Sequence, residues 1–124
     1  MINQKQFGVW MDNHHATVVG ENAETGVLTV IAHIKGEAVN PSSSNKNENN
    51  QKKMLQAKYF KEISLHLQNA TFLHATGTGQ VQEQFIHYLA ETPQFKKTKT
   101  EESTANEMSD ENLVKYFSKL ISVQ

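Results

Sequence analysis

The sequence predicts an α/β fold with a five-stranded mixed sheet and three helices. Three short, β-prone apolar runs follow one another within the first 34 residues, which is typical of an antiparallel meander. Further along, the stretch from Asn69 to Leu89 combines a short apolar strand, a glycine-bearing turn and an amphipathic helix. A strand that continues into a helix is the repeating unit of α/β domains, and ligands tend to bind at the carboxyl ends of such strands.

Length and composition limit the class of protein. The 124 residues suffice for one domain, which we expect to span residues 1–124. The net charge of -1 argues against a nucleic-acid binder that relies on bulk positive charge, and the lack of cysteine excludes disulfides and thiolate metal sites. We find no apolar leader and no apolar run of about 20 residues, so we expect a soluble, cytoplasmic protein without a membrane partner.

The first three strands are predicted over Phe7–Asp12, His15–Gly20 and Val27–Ile34. Only Asn13 and His14 separate the first two strands, and this spacing favours a tight hairpin. A polar turn that ends in glycine precedes the third strand, which is rich in β-branched residues. These short connections indicate that the three strands pair antiparallel in sequence order.

The segment Lys35–Lys53 is predicted to be a mobile loop. It contains Pro41, the triplet Ser42–Ser44 and five asparagines between Asn40 and Asn50, and it shows no pattern that could bury an apolar face. At roughly 19 residues it is longer than most connections inside a compact domain, and such long loops are usually functional or disordered.

Two amphipathic helices, with a strand between them, follow this loop. Met54–Leu67 carries apolar residues at every fourth position, and Gln80–Leu89 repeats the pattern. We expect the intervening strand over Ala70–Ala75 and the turn over Thr76–Gly79. The apolar stripes consist of Leu55, Tyr59, Ile63 and Leu67 in the first helix and of Val81, Phe85 and Leu89 in the second.

The last two elements complete the order β-β-β-α-β-α-β-α. Phe95–Glu101 alternates as a strand does, and its lysines suit an exposed sheet edge. Ser109 is predicted to cap the last helix, since acidic residues follow it and an apolar stripe begins at Leu113. Right-handed βα connections then give the strand order 3-2-1-4-5, which is the ribonuclease H-like arrangement.

Asp12 is the first candidate for a functional side chain. It ends the first strand, where ribonuclease H-like nucleases carry a metal-binding carboxylate. Two-metal chemistry needs several converging carboxylates. The end of the fourth strand, at Ala75, Thr76 and Gly77, supplies none. We therefore favour a role for Asp12 in shaping the hairpin turn, and we predict no metal site.

The turn Gly77–Gly79 is the second candidate, because glycines let backbone N–H groups approach a phosphate at a helix N-terminus. The segment lacks both the third glycine of a dinucleotide-binding motif and the Gly-Lys-Ser/Thr of a P-loop. A tight turn with Thr78 as N-cap is therefore the favoured interpretation. The alternative is a small-anion site at Gly77–Gly79. The ligand-binding candidates of this region, taken together, are Asp12, Thr76, Gly77, Thr78, Gly79 and Gln80.

The histidines and lysines give weaker signals. The six histidines show no i, i+4 pair on a predicted helix, and there is neither a Gly-x-Ser-x-Gly segment nor a cysteine nucleophile, so we predict no catalytic residue and no cofactor. Lysines cluster in the loop and the first helix, where they could contact an RNA backbone. A solvated surface with interspersed acids also accounts for them. The RNA-binding candidates are Lys46, Lys52, Lys53 and Lys58.

Three segments carry a resemblance to a known family: FGVWMDNHHATVV (7–19), NATFLHATGTGQVQEQFIHYL (69–89) and NEMSDENLVKYFSKL (106–120). In this order and spacing they resemble the middle domain of class 1 peptide chain release factors of eukaryotes and archaea and of their Pelota relatives. More closely, the chain is similar to small stand-alone bacterial proteins built on that domain, some of them labelled host-attachment or translational machinery proteins. The resemblance implies a ribosome or RNA partner.

The catalytic motif of the release factors is missing. In that family a Gly-Gly-Gln lies in the long loop between the third strand and the first helix, but the matching segment here has only Gly36, and its glutamine, Gln51, follows Asn50. The sequence Gly77–Gln80 is superficially similar, yet it lies at a different place in the fold. Similarity of fold does not transfer a function whose site is absent.

The sequence thus favours a non-catalytic, translation-associated protein that binds the ribosome or RNA. The first alternative is a hydrolase, either a metal-dependent nuclease that uses Asp12 or a peptidyl-tRNA hydrolase that uses the turn at Gln80. The second alternative is a small-anion-binding domain centred on Gly77–Gly79. The oligomeric state stays open at this point.

Overall fold

The computed structural model describes the backbone of residues 5–22, 24–36 and 45–121, together with their side chains except those of residues 45–51. None of the helices in this described part combines the length and apolar character that a membrane crossing requires. The elements, in chain order, are β1 (Gln6–Met11), β2 (His15–Glu21), β3 (Leu28–Lys35), α1 (Asn45–Leu65), β4 (Phe72–Gly77), α2 (Val81–Ala90), a short 3-10 helix (Pro93–Phe95), β5 (Lys99–Thr104) and α3 (Asp110–Ile121).

The five strands form one mixed sheet in the order β3-β2-β1-β4-β5, which confirms the predicted topology. β2 is antiparallel to both β1 and β3, whereas β4 is parallel to β1 and β5 is parallel to β4. Four strands therefore run in one direction, and their carboxyl ends meet at one side of the sheet, which we call the carboxyl edge. Asp12, Gly36 and Thr78 each follow the last residue of a strand at this edge.

Each face of the sheet is covered by helices. α1 and α2 pack on one face around Met11, Leu73 and Phe85, while α3 packs on the other around Trp10, Phe72 and Phe117. Gly8 lies directly beneath α3, because a Cβ at this position would be 2.4 Å from Cγ of Phe117.

A β-bulge lets β3 contribute to both cores. Val18 pairs with Ala32 but Val19 pairs with Val30, so Ile31 is the extra residue. An extra residue reverses the alternation of side chains along a strand. Accordingly Val30 packs with the α3 core, whereas Ala32 packs with the core beneath α1 and α2.

The first helix differs most from expectation. It begins at Asn45, not at Met54, so the prediction that all of Lys35–Lys53 is a loop was wrong for its last nine residues. The polar residues of that segment include good helix formers, and helical backbone needs no apolar stripe where it is surrounded by water. The helix ends at Leu65, two residues before the predicted end, although Leu67 is still buried. Residues 37–44, which include Pro41 and the serine triplet, lie outside the described residues.

The last strands are also displaced along the chain. β4 covers Phe72–Gly77 rather than Ala70–Ala75, because Asn69 has a φ of 62° and the chain is still turning there. The predicted strand Phe95–Glu101 was wrong in its first half, since Phe95 belongs to the 3-10 helix and is buried in the core. β5 follows at Lys99–Thr104, as an edge strand next to β4.

Of the two predicted helix caps, Ser109 and Thr78, only Ser109 is confirmed. The hydroxyl of Ser109 accepts a hydrogen bond from the N–H of Asn112 at 3.2 Å, as expected for the cap of α3. At α2 the N-cap is Gln80, without a side-chain cap, so the expectation that Thr78 caps this helix was wrong. The N–H groups of the first turn of α2 consequently donate no hydrogen bond to a capping side chain.

Candidate functional site at the carboxyl edge

Asp12 organises the turn between β1 and β2. Its Oδ1 accepts hydrogen bonds from the backbone N–H groups of His14 (2.7 Å) and His15 (2.8 Å). Its carbonyl oxygen accepts a hydrogen bond from the hydroxyl of Tyr59 at 2.9 Å, which ties α1 to the carboxyl edge. Burial, and secondarily the negative charge of Asp12, raise the pKa of Tyr59, so this hydroxyl stays a neutral donor.

The glycine turn lies beside Asp12, since Met11 pairs with Gly77 on the adjacent parallel strand. A Cβ on Gly77 would lie 2.0 Å from the carbonyl oxygen of Met11, so only glycine permits this approach of the two strands. Gly79, in contrast, has no heavy atom within 4 Å of a Cβ position. The two glycines therefore have different roles: one is a packing requirement, and the other faces open space at the start of α2.

Of the predicted turn residues, Thr76 does not face this open space. It is the fifth residue of β4, it is fully buried, and its Oγ1 accepts a hydrogen bond from the hydroxyl of Ser103 at 2.9 Å. Thr78, Gly79 and Gln80 are exposed beside Asp12. The structure thus brings four of the six ligand-binding candidates to the open side of the carboxyl edge, while Thr76 and Gly77 lie within β4.

Gln82 is a polar residue of this region that the sequence did not single out. Its side chain is fully buried, and Nε2 donates to Oε2 of Glu102 and to the carbonyl oxygen of Ser103, each at 3.2 Å. The carbonyl oxygen of Gly77 lies at 3.5 Å. Its Oε1 has no hydrogen-bond partner among the described residues. Gln82 therefore ties the first turn of α2 to the ends of β4 and β5.

The lysine candidates of α1 lie at the other end of the carboxyl edge. Leu55 and Tyr59 border a narrow groove with Gly36, at the level where β3 ends. Because each helical residue adds about 1.5 Å, the helix from Asn45 to Leu55 extends about 15 Å past this level. Lys52, Lys53 and Lys58 are exposed on this helix, and the side chain of Lys46 lies outside the described part.

A wider groove of about 350 Å³ opens where β2 begins and β3 ends; its lining residues are His14, His15, Ala16, His33, Ile34 and Lys35. Nε2 of His15 is 3.0 Å from Oε2 of Glu107, and Nε2 of His33 is 2.9 Å from Oδ2 of Asp110. We call this site, with its three imidazoles, the histidine groove. Sequence reasoning missed it because Glu107 and Asp110, which face the imidazoles of His15 and His33, are 92 and 77 residues away from them in the chain.

No metal centre forms from these histidines. Within the described ranges, no group of three or more His, Cys, Asp or Glu side chains is arranged to hold a metal ion. The Oδ1 of Asp12 is already engaged by two backbone N–H groups and lies 3.3 Å from Nδ1 of His15.

A second polar cluster lies beneath α3, away from the open edge. Nε2 of His74 is 2.8 Å from Oγ of Ser103, and Nδ1 of His74 is 3.6 Å from Oε1 of Glu101. The hydroxyl of Tyr116 lies 2.9 Å from the same Oγ. The order hydroxyl, imidazole, carboxylate is found in hydrolases, but here Thr76, His74 and Tyr116 surround the Ser103 hydroxyl, which makes the cluster a structural network.

Neither a family model nor a curated protein sequence matches the chain. Solved structures do match. Pelota from Archaeoglobus fulgidus is 12% identical with a TM-score of 0.61, over 96% of this chain and 32% of that protein. Pelota from Thermoplasma acidophilum is 15% identical with a TM-score of 0.59, over 94% of this chain and 32% of that protein. An archaeal translation termination factor is 11% identical with a TM-score of 0.51, over 86% and 32% of the two chains.

At these low sequence identities the structural likeness shows a common fold, and it does not show a common function. The chain spans about a third of the length of each protein that it matches, since 32% of each is covered. The chain thus shares its fold with part of Pelota and part of an archaeal translation termination factor.

Proposed function

We propose that this chain is a non-catalytic, translation-associated domain that binds ribosomal RNA and corresponds to the middle domain of release factors and Pelota. The observation that carries the proposal is the extension of α1, with its lysines, beyond the carboxyl edge of a fold shared with translation factors. A role on ribosomes implies a cytoplasmic location.

The extended part of α1 is suited to contact a phosphate backbone. Lys52 and Lys53 are exposed, and so is Lys58, about one and a half turns later. Tyr59 is the first residue of this helix whose side chain is described as buried. The helical residues from Asn45 to Gln51 are all polar or charged. Lysine contacts with phosphates release counterions, and this release supplies affinity without reading a sequence. A helix that projects from the body can reach a groove that the sheet cannot enter.

Two features support a non-catalytic role. The segment between β3 and β4 lacks the Gly-Gly-Gln that release factors carry there, and Gln80 lies instead at the start of α2. Asp12 uses its carboxylate to hold the hairpin turn, and a nuclease would need further carboxylates beside it. The nuclease alternative therefore depends on a carboxylate that already holds a turn, and the peptidyl-tRNA hydrolase alternative depends on a glutamine at a different place in the fold.

Charge reversal on two matched surfaces tests the proposal. Lys52→Glu/Lys53→Glu changes the extended part of α1, and Lys96→Glu/Lys97→Glu makes the same change in charge next to the 3-10 helix at the opposite end of the sheet. We expect the first variant to lose most of its affinity for purified ribosomal subunits and the second to retain it. Equal loss in both, with unchanged thermal unfolding, would mean that general charge and not this helix determines binding.

The small-anion alternative retains one supporting observation. Gln80 leaves the first turn of α2 without a side-chain cap, and Gly79 beside it faces open space. Backbone N–H groups in this position favour anions. Titration with sulfate at constant ionic strength, followed by the NMR chemical shifts of the backbone amides, tests this alternative. Saturable changes confined to residues 79–82 would support small-anion binding, and the absence of such changes would contradict it.

A further inference from the structure

We propose that the histidine groove binds phosphate groups and that Glu107 and Asp110 mask it, so that its affinity rises when its imidazoles are protonated. This inference deepens the proposed function, on which it rests, by adding a second phosphate contact and a means of regulating it. The evidence is the register of β2 and β3, the ion pairs of the groove and the balance of charge around it.

The register of the sheet assembles the cationic side of the groove. His15 pairs directly with Lys35 across β2 and β3, and His33 lies two residues before Lys35 on the same strand. Residues directly and diagonally opposite one another on one face of a sheet are close enough to act together. The contacts of His15 with Glu107 and of His33 with Asp110 show that both rings face the α3 side. His14 joins them from the turn between β1 and β2.

Two members of the groove are open to a ligand. The side chains of His14 and Lys35 form no hydrogen bond or ion pair with another described residue, although Lys58 and Glu62 of α1 border Lys35 in the adjoining narrow groove. A volume of about 350 Å³ is in the range of small-ligand sites and admits a phosphate with part of a nucleoside. The groove can therefore take one or two phosphate groups without rearrangement of the sheet.

The other two histidines are occupied by carboxylates that a phosphate can displace. Glu107 is 65% exposed and Asp110 is 53% exposed. Ion pairs this exposed are weak, so an incoming phosphate can displace these carboxylates from the rings. Both acids belong to the segment that passes from β5 along the carboxyl edge into α3, and the carbonyl oxygen of Ala105 in this segment accepts a hydrogen bond from Nε1 of Trp10 at 3.1 Å.

The sign of the charge in the groove depends on the imidazoles. While the imidazoles are neutral, the negative charges of Asp12, Glu107 and Asp110 outnumber the single positive charge of Lys35. The groove then repels anions. With all three imidazoles protonated the balance becomes positive, and phosphate is attracted. Acidification or removal of the acids should thus have the same effect on affinity. The charged groups concerned are Asp12, His14, His15, His33, Lys35, Glu107 and Asp110.

The test measures binding of two probes at pH 8 and at pH 6. The probes are inorganic tripolyphosphate and a short single-stranded oligouridylate. Trp10 is the only tryptophan, and its ring centroid lies 5.3 Å from that of His15, so its fluorescence reports on the groove at each fixed pH. Backbone amide shifts of His14, His33 and Lys35 locate the site. We expect affinity for tripolyphosphate to be several-fold higher at pH 6 than at pH 8.

Variants separate masking from general charge. Glu107→Gln/Asp110→Asn should bind tripolyphosphate at pH 8 several-fold more tightly than the unmodified protein does at the same pH, whereas His14→Gln/His33→Gln should show a smaller pH effect, because only His15 remains. Glu111→Gln is the control for α3, because Glu111 pairs with Lys115 and not with the groove. His66→Gln is the control for histidine, since it removes an exposed imidazole at the far end of α1. Thermal unfolding checks that each variant is folded.

The two probes distinguish the possible sources of the phosphate group. Binding of both probes, mapped to the groove, supports a nucleic-acid backbone as the phosphate source, and binding of tripolyphosphate alone supports a free phosphate compound. Affinity that does not change with pH, or shifts confined to residues 79–82, would overturn the proposal. If ribosome binding by Lys52 and Lys53 fails while tripolyphosphate still binds the groove, the proposed function is wrong and the phosphate site remains. If the protein binds ribosomes through Lys52 and Lys53 but tripolyphosphate does not bind the histidine groove, the proposed phosphate site is wrong and the proposed function stands.

Discussion

Nε2 of His74 lies 2.8 Å from Oγ of Ser103, and this contact joins β4 to β5 beneath α3. The other ring nitrogen, Nδ1, is buried and is 3.6 Å from Oε1 of Glu101, beyond hydrogen-bonding distance. Burial therefore lowers the pKa of His74, although the nearby Glu101 and Glu102 partly oppose this shift. The imidazole is held neutral in a network that includes Tyr116 of α3.

This buried imidazole predicts a loss of stability in acid. Because the pKa of His74 is lower in the folded protein than in the unfolded chain, the unfolded chain binds the proton more readily. The contribution of His74 is then fully present above a pH of about 6.5 and is lost as the pH falls toward the folded pKa. Urea unfolding between pH 8 and pH 5 should show a shallower pH dependence in His74→Gln than in the unmodified protein.

The control for this prediction is His66→Gln, which removes an exposed imidazole. We expect it to leave the pH dependence of unfolding unchanged. An identical dependence in His74→Gln and in the unmodified protein would show that the ring is not buried in its neutral form.

The two glycines of the turn after β4 should respond in opposite ways to alanine. Gly77→Ala places a Cβ against the carbonyl oxygen of Met11, and backbone atoms cannot move aside easily, so we expect a loss of about 3 kcal/mol or more in the free energy of unfolding. Gly79→Ala meets open space and restricts the unfolded chain, so its effect should lie between zero and a gain of about 1 kcal/mol. Chemical denaturation of both variants measures the difference, and similar losses would contradict it.

Gly8 and Phe117 should be energetically coupled. A Cβ at Gly8 would overlap the ring of Phe117, which packs against His74 and Tyr116 and has little room to move. We expect Gly8→Ala to cost about 1–3 kcal/mol alone and clearly less in a Phe117→Leu background. A double-mutant cycle on the free energy of unfolding gives the coupling, and additive effects would mean that α3 does not lie over β1 at this point.

Replacement of Asp12 separates its structural role from catalysis. Asp12→Asn retains an oxygen that can accept from His14 and His15, whereas Asp12→Ala removes both hydrogen bonds. We expect Asp12→Ala to lower the free energy of unfolding by about 1–2 kcal/mol and Asp12→Asn to be near neutral. Cleavage of RNA that requires a divalent metal and disappears in Asp12→Asn would contradict this account and favour the nuclease alternative.

The strand order followed from the sequence because it depends on local patterns. Three apolar runs with short connections specify a meander, and strand–helix units cross over with one hand, so few topologies remained. The stripes of Tyr59 and Ile63 in α1 and of Phe85 and Leu89 in α2 are indeed buried. Boundaries were less predictable wherever the apolar pattern was weak.

β5 shows why its position could not be read from the sequence. Its residues, KTEEST, include no apolar side chain, and the strand exists because it pairs with β4 at the sheet edge. The alternation that begins at Phe95 suggested an earlier strand, but that ring anchors the 3-10 helix to the core. The position of this strand is therefore determined by its pairing with β4 and not by the alternation of apolar and polar residues that begins at Phe95.

The sites depend on contacts that no local pattern encodes. His15 and Glu107 are 92 residues apart, and His33 and Asp110 are 77 residues apart. Histidines that seemed scattered along the chain are gathered by the sheet register and by the segment that leads into α3. The candidates Asp12 and Gly77–Gln80 could be placed together from the sequence, since both follow parallel strands that were expected to be neighbours.

Co-sedimentation with ribosomes across a salt series tests the central claim most directly. Phosphate contacts predict that the pelleted fraction of the purified protein is high at about 50 mM salt and falls steeply by about 200 mM, because counterion release weakens as salt rises. The same series with Lys52→Glu/Lys53→Glu should show little binding even at the lowest salt. A protein that stays in the supernatant at every salt concentration would contradict the account and leave only the likeness of fold.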